Sequence, residues 1–236
     1  MKYNILTVAN ENYKKFIKLF VNSLFELYDM ADVNKVYVYD TGLSKETIEY
    51  LQDFPKIEVV KTNVVSVSNK IHDEGWKTST YSKTKFLLEI LIQDQLPTFM
   101  IDSDCIFVSN FQHLIDQNCD VVACDRNREG FSKHIGSFFG AISVENSKEF
   151  LAKWIDNLEY LQNNTDMKHC ESPALSKTIK ENNYNVQELP EQVVSAVFPD
   201  QTSLIFHLKS DYYAKTVQER ISLPHAINFV ERYLEC

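Results

Sequence analysis

Glycine is scarce in this chain, with 5 in 236 residues. Neither a glycine-rich dinucleotide loop nor a P-loop lysine motif is present, which excludes two common phosphate cradles. Positive charge is also short. The formal net charge of −9 argues against general nucleic-acid binding, because a phosphate backbone calls for a basic face. It leaves room for a local basic pocket around one nucleotide. No run of 18 apolar residues occurs, so no transmembrane segment is expected. The N-terminus opens at once on strand-like YNILTVA, without a signal-peptide layout. Cys105, Cys119, Cys124, Cys170 and Cys236 form no C-x-x-C pair. An odd, scattered set suits reduced thiols and a cytoplasmic setting better than a disulfide framework or a zinc site. Asn-Asn-Thr at 163–165 has the form of a glycosylation sequon, which is incidental without a secretory signal.

What the chain does have is an ordinary globular balance, 44% apolar and 24% charged, with 15 Phe and 12 Tyr. Its length suits one domain with a sizeable core. KYNILTVA reads as a buried strand. Tyr13, Phe16, Ile17, Phe20, Leu24, Leu27 and Tyr28 then recur at spacings of three and four, the signature of one helix face. KVYVYD is a second strand. Gly42 turns the chain, and Ser44 is placed to cap a short helix. KIEVVKT is a third strand. A polar segment with Trp76 leads to the helix SKTKFLLEILIQ and the fourth strand PTFMIDSD. Alternating strands and helices predict a mostly parallel sheet flanked by helices, an α/β Rossmann-like arrangement. Further on, CDVVACD, FFGAISV, YNVQELP and SLIFHLKS read as strands, and SKEFLAKWIDNLEYLQ and SPALSKTIKEN as helices. No repeat or linker divides the chain. A single domain over 1–236 is expected.

The sequence FMIDSDCIFV, residues 99–108, sets Asp102 and Asp104 inside an apolar run. Ligands gather beyond the carboxyl ends of the strands in an open parallel sheet. In extended backbone, residues two apart point the same way, so both carboxylates would face one hard cation such as Mg²⁺ or Mn²⁺. The plainer reading is a strand-to-turn corner in which the acids bond local amides. D-x-D after an apolar strand also opens haloacid-dehalogenase-like phosphatases, with the first Asp as nucleophile. Those put it in the first strand, and no later DD or GDxxxD occurs here.

ILTVANENYKKFIKLFVNSL, VYVYDTGLS, KTKFLLEIL and FMIDSDCIFV occur in the order seen in GT-A-fold glycosyltransferases, and most resemble the family 8 and family 77 type. GSFFGAISV resembles the acceptor-side strand of that group, ESPAL its DQ-x-AL helix start, and FHLKS its late histidine motif. The resemblance implies a GT-A-like fold, a nucleotide-sugar donor that is usually a UDP-sugar, a glycan or other sugar acceptor, and Mn²⁺ or Mg²⁺. Asp102, Asp104 and His207 match its metal ligands. Thr7, Ala9 and Asn10 match the first-strand loop that receives the nucleoside. Asp40 matches a position near base or ribose, and equally fits a turn cap before TGLS. Lys83 or Lys85 fits either the diphosphate or a solvated helix face. Ser103, between the metal acids, is a substrate-binding candidate, and Gly136 and Ser137 would let an acceptor sugar approach the backbone. Tyr13 suits a stack on uracil, though the helix stripe claims it for the core. Trp76 suits either substrate or core. The family continues after the histidine with Gly and Lys-Pro-Trp, where this chain has DYYAK.

Transfer passes through an oxocarbenium-like state with a departing diphosphate. Lys209 would add positive charge as that anion forms. An inverting enzyme also needs a base for the acceptor hydroxyl, and Glu171 is the carboxylate placed for it. Glu171 or Ser172 also fits a cap of the following helix, with Pro173 in its first turn. A retaining enzyme would need no such base. Arg126, Arg128, Lys133 and His134 form a basic patch that suits donor phosphates, an acidic acceptor, or simply a solvated loop. Three functions stand: a metal-dependent sugar transferase, the phosphatase, and a nucleotide-sugar-binding module without catalysis.

Overall fold

The computed structural model describes residues 1–66, 74–167, 169–195 and 202–208. Seven strands form the main sheet. They are β1 (Tyr3–Ala9), β2 (Val33–Asp40), β3 (Ile57–Lys61), β4 (Thr98–Ile101), β6 (Val121–Asp125), β7 (His134–Ala141) and β8 (Val186–Pro190), in the order β3-β2-β1-β4-β7-β6-β8. Strand β1 runs parallel to β2 and β4, β2 to β3, and β6 to β8. Only β7 runs against its neighbours β4 and β6. A second sheet joins β5 (Cys105–Phe107), β10 (Ile205–His207) and β9 (Val194–Ser195).

Strand alternation sorts side chains into two cores. Ile5, Phe99, Ile101 and Phe138 face one side, where they meet Ile17, Phe20 and Leu24 of α1 (Lys14–Leu27). Leu6, Met100 and Phe139 face the other. There they meet Leu87 and Leu91 of α3 (Glu74–Asp94), Phe150 and Trp154 of α4 (Val144–Asn164), and Leu175 of α5 (Glu171–Glu181). A sheet covered on both faces has strands that read as near-continuous apolar runs, and β1 and β7 are buried at every position.

Local signals hold where they concern turns and caps. Gly42 takes φ +130°, a region that favours glycine. The Ser44 hydroxyl accepts from the Thr47 N–H at 3.2 Å and starts α2 (Lys45–Gln52). Three expectations change. Helix α1 begins one residue after Tyr13, which sits instead in a 3₁₀ turn, Glu11–Tyr13. Helix α3 starts at Glu74, eight residues before the apolar stretch that announces it. FMIDSDCIFV is two strands in two sheets, with residues 102–104 as the corner between them.

Candidate active site

That corner is a turn, in which the Cys105 N–H donates to the Asp102 carbonyl at 3.1 Å. The expectation of two acids aligned by extended backbone is therefore incorrect, and they converge for another reason. The Asp102 N–H is tied to the Ser137 carbonyl of β7 at 2.9 Å. Beyond the turn, His207 pairs with Cys105 across β10 and β5, and the Leu208 N–H donates to the Asp104 carbonyl at 2.8 Å. The second sheet thus carries His207 to the acids. Its Nε2 lies 3.3 Å from Asp104 Oδ1 and 3.8 Å from Asp102 Oδ2. One ligand atom from each of the three residues lies within 4.8 Å of the others. The two carboxylate oxygens suit Mn²⁺ or Mg²⁺, and the imidazole nitrogen favours Mn²⁺ of the two, since Mg²⁺ holds more strictly to oxygen donors.

The trio borders a cavity of about 380 Å³ at the carboxyl ends of β1 and β4. Val8, Ala9, Asn10 and Tyr13 line one part of it. Asn10 is held in place: its Oδ1 accepts from the Asn12 N–H at 3.0 Å and its Nδ2 donates to Ser66 Oγ at 3.2 Å. Tyr13 is only half-buried, packing on Phe16 with centroids 5.6 Å apart, so it borders the cavity rather than filling the core. The early start of α3 adds Ser79, Thr80 and Tyr81 to the wall, beside Lys83 of the expected helix. Ser103, Gly136 and Ser137 are wall residues too, and the Ser137 hydroxyl is buried without a hydrogen-bond partner. Thr7 and Asp40 are not. Thr7 is fully buried within β1. Asp40 caps its turn, Oδ1 accepting from the Gly42 and Leu43 N–H groups at 2.8 and 2.6 Å.

Lys83 is not on a solvated face. It is buried, with its ammonium 2.5 Å from Asp102 Oδ1 and 2.8 Å from Glu171 Oε1. The second contact is a charge contact off the line of a hydrogen bond. Lys85, on the exposed side, pairs with Glu159 at 2.8 Å. Burial alone would make Lys83 lose its proton, but the Asp102 and Glu171 charges hold it protonated, its pKa above the ordinary lysine value. Glu171 moves the opposite way for an ion pair, pushed up to about 7 by burial, with Lys83 opposing and the Asp102 charge adding. One ammonium between two carboxylates neutralises only one of them. Asp102 takes it at the shorter distance, and Glu171 is the acid left to titrate.

Glu171 is the first residue of α5, and no side chain caps that helix start. Its carboxylate turns into the cavity instead, so neither Glu171 nor Ser172 serves as the cap. A Cβ at Gly136 would lie 2.6 Å from Glu171 Cδ, so the absence of a side chain there lets the acid lie against β7. The basic patch divides. His134 is buried between Ser176 and Glu188, at 3.2 and 2.7 Å, and Lys133 pairs with Asp125 and Glu188 at 3.3 and 2.7 Å. Arg126 lines the cavity and Arg128 is exposed. Lys209 and the Trp76 side chain lie outside the described residues. Cys105, Cys119, Cys124 and Cys170 are free and buried.

The family model described as nucleotide-diphospho-sugar transferase matches residues 36–228. Solved structures of the same fold include the galactosyltransferase LgtC in complex with donor and acceptor sugar analogs, 12% identical with a TM-score of 0.63, covering 96% of this chain and 99% of that one. An active-site mutant of LgtC matches over the same shares at a TM-score of 0.62 and 12% identity. The glycosyltransferase GlyE of Streptococcus pneumoniae is 13% identical with a TM-score of 0.65, covering 100% of this chain and 64% of that one. At such identities the likeness is one of fold. No curated protein matches the sequence. Among the described residues, no helix is long and apolar enough to cross a membrane.

Proposed function

This chain belongs to the nucleotide-diphospho-sugar transferase family, and on that premise we propose that it moves a sugar from a UDP-sugar to a glycan or other sugar acceptor, with Mn²⁺ or Mg²⁺ held by Asp102, Asp104 and His207. The observation that carries the reading is the convergence of those three donors beside the cavity. When bound, such a cation would offset negative charge on the leaving diphosphate. The chain's own residues do the rest. Ala9, Asn10 and the Tyr13 ring would receive the nucleoside, the ring by stacking on its base. Ser103 would meet the donor sugar, and Gly136 and Ser137 would let the acceptor sugar approach the backbone. Lys209 would add charge toward the departing anion.

Glu171 would sit against the reacting sugar or the acceptor hydroxyl, oriented by Lys83 and by the open side of Gly136. With its pKa near 7 it would take up a proton more readily than an ordinary carboxylate, which suits a base for the acceptor. The chain would act as one domain, with nucleotide recognition in 1–110 and acceptor recognition in 111–236. Family membership counts against the phosphatase reading, and so does the Lys83 contact that occupies the Asp102 oxygen a nucleophile would need.

Calorimetric titration of UDP with and without Mn²⁺ tests the proposal. Binding is expected only with the metal, and Asp104→Asn is expected to weaken it more than 100-fold, since second-shell changes alone cost about 10- to 100-fold. His207→Ala is expected to weaken it less, because two carboxylates remain. Mn²⁺-dependent UDP binding undiminished in Asp104→Asn would reject the site.

A further inference from the structure

The chain has four arginines, and the two within the described residues, Arg126 and Arg128, stand two apart on the loop between β6 and β7. That loop is closed by the Arg126 N–H donating to the Lys133 carbonyl at 2.8 Å. Its carboxylate, Asp125, is already committed, to Lys133 at 3.3 Å and to the Asn127 N–H at 2.8 Å. Glu188 is committed to Lys133 and His134. Glu171 is committed to Lys83. The Arg126 guanidinium is left half-buried in the cavity wall with no hydrogen bond or ion pair among the described residues. Burial, and then the nearby Arg128 charge, lower its pKa. Glu191 and Glu171 lie near enough for their charges to favour the protonated form, but neither is in hydrogen-bond or ion-pair contact with it. A partly desolvated cation without a contacting partner is costly, and a guanidinium so placed is shaped to grip a carboxylate or phosphate with two parallel bonds.

Which anion it would grip follows from its neighbours. The carboxylates whose charges reach Arg126 are Glu191 and Glu171, which lie after β8 and at the start of α5. In the sheet, β7 stands between β6, which Arg126 follows, and β4, whose end carries the acids where a donor diphosphate would be held. Arg126 therefore stands one strand beyond β7 from the proposed metal, at the end of β6 in the acceptor-side half.

We propose that the acceptor carries a phosphate or carboxylate, and that Arg126, supported by Arg128, receives it as the group that selects acidic acceptors over neutral ones. This rests on the transferase reading above. The β6–β7 loop acts as the specificity element. It supplies charge to the acceptor without touching the transferred bond, so Arg126 is not a catalytic residue.

The test uses the full chain saturated with UDP and Mn²⁺, titrated with glucose 6-phosphate, glucuronate and glucose. Both anionic probes are expected to bind at least tenfold more tightly than glucose, a difference of about 1.4 kcal/mol. Arg126→Gln is expected to bring them down to the level of glucose while leaving UDP affinity within twofold, and Arg126→Lys to retain part of the preference. Equal binding of the three probes to the wild type, with UDP bound normally, would overturn this inference alone. A parallel loss of UDP affinity in Arg126→Gln would also overturn it, assigning the arginine to the donor diphosphate. Failure of the wild type to bind UDP with Mn²⁺ would remove the transferase reading and this inference with it. A thermal melt of each variant separates lost recognition from lost folding.

Discussion

The two walls of the cavity are built on different electrostatic plans. On the β4 side, charges are buried and interlocked: Lys83 spans Asp102 and Glu171, and His207 is brought beside Asp102 and Asp104 by a second sheet. On the β6–β7 side, Lys133 and His134 use up the local carboxylates, and a guanidinium is left facing the cavity. The first wall is preorganised before any ligand arrives, which is how a site stabilises charge without reorganising at the moment of reaction. The second leaves one guanidinium without a contacting partner, the arrangement on which the proposed discrimination between acceptors rests.

The sharpest way to break this contrast is Lys83→Met. It removes the cation from two buried acids, and breaking a buried pair costs about 3 kcal/mol. Urea denaturation should show a loss of that order at neutral pH. Because Glu171 titrates near 7, the loss should shrink as pH falls and that acid becomes neutral. Mn²⁺ should restore part of the stability in this variant by serving the Asp102 charge. A loss independent of pH would mean that Glu171 does not share the lysine.

Gly136→Ala should come next. The added Cβ meets Glu171 Cδ at 2.6 Å, and overpacking of this kind costs about 1–3 kcal/mol. Glu171→Ala should relieve it, so a double-mutant cycle on denaturation midpoints should give a coupling of about 1 kcal/mol or more. Additive effects would place Glu171 away from β7.

The smallest effect belongs to the paired wall. Burial would raise the Glu188 pKa, but hydrogen bonds from Lys133 and His134 bring it below its ordinary 4.5. A depressed folded-state value contributes stability above the unfolded pKa, and that contribution is lost as pH falls through the folded one. Glu188→Gln should therefore flatten the acid limb of stability below pH 4.5. The change should stay under about 1 kcal/mol, since the pair is partly exposed. An unchanged acid limb would mean that the contact contributes nothing.

Legibility followed period and chemistry. The apolar runs of β1, β4 and β7 and the helix stripe of α1 are visible because both sheet faces are covered. The turn at Gly42 and the cap at Ser44 are visible because few residues suit those places. The polar start of α3 was hidden, since Ser79 and Thr80 face the cavity and break the apolar repeat. Tyr13 was misplaced because its spacing fits a helix that starts one residue later. The acids of FMIDSDCIFV stand at a strand end beside a cavity, as expected, but a turn and not extended backbone brings them together. Lys83 reads equally as a diphosphate contact or a solvated residue because nothing local says that Asp102 and Glu171 will close on it.

By itself, the sequence determined the α/β class, the element order and which acids stand at a strand end, because periodicity and turn chemistry act over a few neighbouring residues. The late histidine motif points to His207 through resemblance alone, and only the tertiary structure decided which strand pairing brings it beside those acids, that one lysine serves two carboxylates, and that among the described residues Arg126 alone of its patch reaches the cavity. Those outcomes depend on which strands become neighbours, and so on contacts between residues tens of positions apart that no local pattern records.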